Sequence, residues 1–154
     1  MNNMKLFLDD VRSPKDAIGL VPDKHNKFYW ENDWDVVRNY DEFVQYLEVN
    51  GAPEFVSFDH DLGDTAMDEY FRNVETKGTL DYDNIKEKTG FDCAKFLVEY
   101  CMDENQPLPE YLVHSANPVG KKNIESYLEN AKKHLSLKPE FRQINNGRTY
   151  FITK

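Results

Sequence analysis

Cysteine is scarce: the 154 residues contain only Cys93 and Cys101. They fall eight positions apart in one predicted helix, about 12 Å along its axis, too far for a disulfide to close. The chain therefore has no disulfide framework, and its free thiols fit a reducing compartment, so a cytoplasmic protein is expected. Positive charge is also short. Nineteen Lys and Arg stand against 28 Asp and Glu, a net charge of −9. That balance excludes broad, non-specific binding to duplex DNA or to an anionic membrane, because both need a positive surface. Long apolar runs are missing. Nothing nears the roughly 18 consecutive apolar residues of a membrane span, and MNNMKLFLDD lacks the apolar run, roughly 7–15 residues long, of a secretory signal. There is no internal repeat and no low-complexity tract. What the chain does have is 40% apolar and 14% aromatic residues, enough for a packed core. At this length a chain buries roughly 70% of its unfolded surface and folds without a staple. One domain over residues 1–154 is expected.

Short apolar runs alternate with amphipathic stretches. Met4–Leu8 (MKLFL), Asp35–Tyr40 (DVVRNY), Phe55–Phe58 (FVSF) and Tyr111–Val113 (YLV) read as strands. Asp41 is the expected N-cap of a helix over EFVQYLEVN that ends at Gly51. Phe91–Asp103 reads as a helix with Cys93, Ala94, Leu97, Tyr100 and Cys101 on its apolar face. Asn117-Pro118 is an N-cap followed by Pro at the first helical position, and Ile124, Tyr127, Leu128, Ala131 and Leu135 form the buried face that follows. Asn146-Gly147 between the β-rich flanks of Phe141–Thr153 predicts a C-terminal hairpin. Pro14, Gly19 and Pro22 break the segment after the first strand. The aromatics Phe28, Tyr29, Trp30 and Trp34 that follow either cap the core or stack a base. Asp64–Thr89, with seven acids and four bases and no sustained period, reads as an insertion. A loop of that length is a lid or hides short elements. The alternation predicts an α/β fold with a doubly wound, mostly parallel sheet and a C-terminal hairpin.

In such a sheet, ligands bind beyond the carboxyl ends of the strands. Those ends carry Asp9-Asp10, Asp59-His60-Asp61 and His114-Ser115. Carboxylates gathered in one crevice repel and raise one another's pKa. A hard divalent cation relieves that, so Asp9, Asp10 and Asp59 are the candidate ligands of Mg²⁺, with Mn²⁺ as the substitute. A His/Asp transition-metal centre is the competing arrangement. His60 and His114, two of only four histidines, suit proton transfer near neutral pH, and Asp61 is placed to orient a histidine. The stretch from His114 to Lys122 offers a helix start followed by Lys121 and Lys122, a setting that attracts anions or is merely a solvated basic turn. It is not a P-loop: the first Gly of that motif would fall at Ser115, and no Ser or Thr follows the lysine. Arg12, Asn117, Gly120 and Lys121 are the candidate phosphate-binding residues, and Ser115 the candidate hydroxyl donor or nucleophile.

The acid pair Asp9-Asp10, the acid Asp59 and the pair Ser115-Ala116, each closing a strand, resemble a receiver domain, the flavodoxin-like fold of response regulators. In receivers these places hold Mg²⁺, accept a phosphoryl group and touch it with a hydroxyl. The chain departs from that pattern in four ways. No first crossover helix is visible, the segment 64–89 is foreign, the end is a hairpin, and Lys138-Pro139 imitates the receiver lysine without an apolar strand before it. The phrases LDDVRSP (Leu8–Pro14), SFDHDLG (Ser57–Gly63) and VHSANPVG (Val113–Gly120) are more closely similar to the cyclic-phosphate processing receiver family. That resemblance implies an enzymatic offshoot of receivers, with histidines beside the acids.

The expected function is metal-dependent phosphoester hydrolysis at a cyclic phosphate, with a small nucleotide or a 2′,3′-cyclic RNA end as substrate. His60 and His114 would exchange protons with water and the leaving oxygen. The alternative is a signalling module, in which Asp59 accepts a phosphoryl group or the site binds a nucleotide without hydrolysing it.

Overall fold

The computed structural model describes residues 4–135. Four short strands, β1 (Lys5–Leu8), β2 (Trp34–Val37), β3 (Phe55–Phe58) and β4 (Glu110–Val113), pair in the order β2-β1-β3-β4. All three pairings are parallel. This is the receiver-like α/β fold, and its order reverses between β1 and β3, where open sheets of this kind place their ligands. The expected hairpin over Phe141–Thr153, and Lys138-Pro139, lie outside the described residues.

Alternation along each strand divides the core into two layers. Leu6, Leu8, Val56, Phe58 and Val113 face three helices: α2 (Tyr40–Asn50), α5 (Gly90–Asp103) and α6 (Pro118–Leu135). α5 packs between α2 and α6. Its stripe is as expected, with Cys93, Ala94, Leu97 and Cys101 buried and Tyr100 partly so. Burial pushes the Cys101 thiol up to about 12 and Cys93 well above its ordinary value, so both are inert core groups. The second layer is thinner. Phe7, Ala17, Val21 and Tyr29 are buried there, with Phe28, Trp34 and Leu112 packed on them. The crossover from β1 to β2 covers this face with a 3₁₀ segment (Pro14–Leu20) and the short helix α1 (Asn26–Trp30), not with a long helix. Phe28 and Trp34 pack edge-on against Phe55, and Trp34 against Phe7. The aromatics therefore cap the core, with Tyr29 fully buried and Phe28 and Trp34 partly so. Only Trp30 is well exposed among them.

The bounds of β2 and the cap of α2 differ from expectation. β2 starts at Trp34 and ends at Val37. The cap of α2 is Asn39, whose side chain accepts from the Glu42 amide at 2.9 Å. Asp41 already lies in the first turn, where its charge suits the helix dipole. The segment 64–89, expected as an insertion, holds short elements of its own. It holds α3 (Asp64–Glu69), a widened turn (Tyr70–Val74), α4 (Glu75–Lys77) and a 3₁₀ turn (Tyr82–Asn84). Buried Glu69 organises it, accepting from the Asn73 and Asn84 amides and the Asp81 backbone. Glu87 does the same from the other end, bonded to Thr65 Oγ1 and the Ala66 N–H. Among the described residues no helix is long and apolar enough to cross a membrane.

Candidate active site

Strand register builds the site. Leu8 pairs with Val37 on one side and with Phe58 on the other, and Phe58 pairs with Val113. The ladder then runs one residue further. Asp9 N–H donates to Val37 O at 3.1 Å, Asp59 N–H to Leu8 O at 2.9 Å, and His114 N–H to Phe58 O at 2.8 Å. Three chain segments thus deliver Asp9, Asp59 and His114 to one level of the sheet edge. A ligand atom from each lies within 4.8 Å of the others, and all three are buried. This group is close enough to share one metal ion.

Asp9 is the hub. Its Oδ1 accepts the Val11 and Arg12 amides at 2.9 and 2.8 Å, and its Oδ2 meets Arg12 Nη1 at 3.1 Å and His114 Nε2 at 3.0 Å. Burial opposes its ionisation, but His114 and the two amides hold Asp9 well below the ordinary carboxylate range. Asp59 goes the other way: burial, then the Asp9 charge, pushes it up to about 8. Asp10 is also raised, by burial and then by Asp9. Asp10 is not among the three side chains within 4.8 Å; it lies on the wall of the cavity beside them. Such crowding of carboxylates fits a hard cation, whose charge would favour their ionised forms.

The cavity has a volume of about 270 Å³. Its acidic wall is Asp10, Asp59, Asp61 and Asp64, and Arg12 is its cation. Ser115 and Asn117 add polar groups, while Val11, with Met67 and Tyr70 of the insertion, forms an apolar side. Of the candidate phosphate ligands, Arg12 and Asn117 reach this wall, and Gly120 and Lys121 do not. The Gly120 amide is taken by Asn117 Oδ1 at 2.9 Å and the Lys121 amide by the Asn117 carbonyl. Gly120 has a packing role instead. A Cβ there would lie 2.4 Å from the His60 ring.

The two histidines leave the sheet edge on opposite sides. His114 stacks on Phe7, with ring centroids 4.4 Å apart, in the thinner layer. His60 lies under α6 against Gly120. Both are fully buried, and neither lines the cavity. Each ring uses both nitrogens. His114 Nδ1 is 2.7 Å from Ser57 Oγ, which is 2.6 Å from the Tyr29 hydroxyl. His60 Nδ1 is 2.6 Å from Asp61 Oδ1 and its Nε2 is 2.9 Å from the Tyr82 hydroxyl. Burial lowers the His114 pKa despite its contact with Asp9.

The chain belongs to the cyclic-phosphate processing receiver domain family. The family's model covers residues 4–130, nearly all of the described chain. No curated protein and no solved structure matches the chain significantly. Several residues that build this family member's site gave no clear sign of it in sequence. Tyr82 lies in the unpatterned insertion. Arg38, just past β2, donates from Nη1 to the Asp9 and Arg12 carbonyls and fixes the loop between them. Ser57 did carry a signal: it is the one polar residue in the strand FVSF.

Proposed function

We propose that the protein is a divalent-metal-dependent phosphoesterase that opens a cyclic phosphate on a small nucleotide or a 2′,3′-cyclic RNA end. The carrying observation is the buried Asp9–Asp59–His114 group at the edge of a cavity that also presents Arg12, Ser115 and Asn117. Asp9, Asp10 and Asp59 would hold Mg²⁺, or Mn²⁺ in its place; the bound cation would supply positive charge to a phosphoryl oxygen. Arg12 adds a fixed cation on the cavity wall for the phosphate. Ser115 Oγ accepts the Asn117 amide at 3.0 Å, which leaves its own hydrogen to donate to a phosphate oxygen.

In the reaction, a water oxygen bonds to phosphorus as one ring P–O bond breaks. One water proton must leave, and the freed sugar oxygen must gain one, giving a phosphate monoester. Asp61 is the base for the water. It faces the cavity, and His60 Nδ1 and Asn117 Nδ2 hold it in place. Asp61 takes the water proton and returns it to the freed sugar oxygen; both imidazoles lie off the cavity wall and act by holding Asp61 and Asp9.

The test is a panel of cyclic mononucleotides, cyclic dinucleotides and RNAs ending in a 2′,3′-cyclic phosphate, followed by ³¹P NMR with Mg²⁺ present. At least one should be opened to a monoester, and Asp61→Asn should slow that reaction by about 10²–10⁴-fold. No turnover across the panel overturns the hydrolase. Binding without turnover, or a stable acyl phosphate on Asp59 after acetyl phosphate treatment, supports the signalling module instead.

A further inference from the structure

We propose that Tyr29, Ser57, Tyr82 and Asn123 are positioning residues. They form two directed hydrogen-bond chains that lock each histidine in one tautomer, as a donor to a site carboxylate. The inference builds on the reading of Asp9 and Asp61 as working carboxylates, but its central test needs no substrate.

The first chain is Tyr29–Ser57–His114–Asp9. Its direction follows from the acceptor at its end. Asp9 already accepts two backbone amides and Arg12 Nη1, so it meets His114 as an ionised acceptor. His114 must then carry its hydrogen on Nε2, 3.0 Å from Asp9 Oδ2. That leaves Nδ1 as the acceptor of the Ser57 hydroxyl hydrogen at 2.7 Å. With its single hydrogen spent, Ser57 Oγ can only accept from Tyr29, at 2.6 Å. Every member of this chain is fully buried, so no exposed side chain competes for these bonds.

The second chain, Asn123–Tyr82–His60–Asp61, has the same logic and the opposite tautomer. Asp61 accepts the Asn117 amide on both oxygens, so His60 donates to it from Nδ1 at 2.6 Å. His60 Nε2 then accepts from the Tyr82 hydroxyl at 2.9 Å, while that hydroxyl accepts from Asn123 Nδ2 at 3.1 Å. Tyr82 belongs to the insertion and Asn123 to α6, so this chain ties the insertion to a cavity carboxylate.

The arrangement separates two roles for His114 that proximity alone leaves equivalent. As an ion ligand through Nε2 it would carry its hydrogen on Nδ1. The chain would then run backwards and end on a Tyr29 hydroxyl with no acceptor among the described residues. Run forwards, every hydrogen has an acceptor. His114 therefore orients Asp9 and is not itself a ligand, the outer-shell role that fixes a ligating group.

The test is long-range ¹H–¹⁵N correlation of the histidine side chains in the full chain, first metal-free and then with Mg²⁺. The two signals are assigned by their loss in His60→Asn and His114→Asn. The expected result is Nε2–H for His114 and Nδ1–H for His60, with His114 keeping its Nε2–H when Mg²⁺ is added. Tyr82→Phe should let His60 relax towards the Nε2–H form, and Ser57→Ala should weaken Mg²⁺ binding by about 10–100-fold. Nδ1–H on His114 or Nε2–H on His60 in the native protein overturns the proposal. So does Mg²⁺ affinity in Ser57→Ala equal to the native value. The native spectra decide the matter even where a variant fails to fold. A protein with these tautomers and no turnover on any cyclic phosphate would refute the hydrolase and leave the two chains standing.

Discussion

His114 Nε2 lies 3.0 Å from Asp9 Oδ2, although 105 positions separate the two residues and β3 lies between their strands. Neighbouring strands lie about 4.8 Å apart, so the imidazole spans the end of β3 to reach the carboxylate. Its ring is held flat on Phe7, two residues before Asp9, with the planes only 4° apart. The contact joins the two outer strands of the β1-β3-β4 unit at the level where Asp59 closes β3, and it places three ionisable groups in one buried volume.

Mg²⁺ and Mn²⁺ should stabilise the protein. An ion that binds only the folded state contributes about 2.7 kcal/mol at one hundred times its dissociation constant. Thermal melts with and without chelator measure this. Asp9→Asn should abolish the shift, because Asp9 is the hub of the group, and Asp10→Asn should reduce or remove it. Wild-type melts that ignore both ions would dismiss the cation site.

Without metal, Asp59 should make the protein less stable as pH rises. Its folded pKa is pushed up to about 8, above the ordinary value near 3.9. Between those values the folded state binds the extra proton, so stability falls with pH through that window and stays lower above it. His114, with its lowered pKa, works in the opposite sense as pH falls through about 6.5. Comparing wild type with Asp59→Asn isolates the Asp59 effect. In chelator, the variant should gain on wild type from about pH 4 to 8, reaching a few kcal/mol. Parallel stability curves would show that Asp59 is not strained in the folded state.

Gly90 and Gly120 should resist substitution, while Gly19 should not. A Cβ at Gly90 would fall 1.8 Å from the Asp59 carbonyl oxygen, and one at Gly120 2.4 Å from the His60 ring. Neither neighbour has room to withdraw, as Asp59 and His60 are buried. Overpacking of this kind costs about 1–3 kcal/mol, more where backbone must move. Gly19 has nothing within 4 Å, so Gly19→Ala should stay within about 0.5 kcal/mol of wild type. Urea unfolding of the three alanine variants gives the ranking, and an intact Gly90→Ala protein would contradict the packing.

Glu69→Gln should loosen the insertion without unfolding the domain. Glu69 is buried and accepts three hydrogen bonds, from Asn73, Asn84 and the Asp81 backbone. An amide replaces one acceptor oxygen with a donor group, which leaves at least one of those donors unsatisfied. Amide hydrogen exchange should quicken across residues 64–89 while α5 and the strands keep their protection. Uniform exchange behaviour in both proteins would mean that the insertion does not depend on this carboxylate.

The sequence by itself determined where β1, β3 and β4 end, the α5 and α6 faces and the acids at the sheet edge. These are local properties: MKLFL and FVSF stop where charge begins, and Asn117-Pro118 reads as an N-cap with Pro at the first helical position. Period and punctuation are written in consecutive residues, so they survive without knowledge of the fold. The tertiary structure alone decided what those residues touch. His60 and His114 look alike in sequence, each following an apolar strand, yet pleat parity sends one towards α6 and the other onto Phe7. Asp59 and Asp9 are the same side chain, yet burial beside a like charge raises one while His114 and two backbone amides lower the other. Tyr29, Tyr82 and Arg38 joined the site with no motif to announce them, because their partners lie 22 to 29 positions away. Hydrogen-bond direction, burial and register depend on distances between segments, and only packing the chain creates those distances.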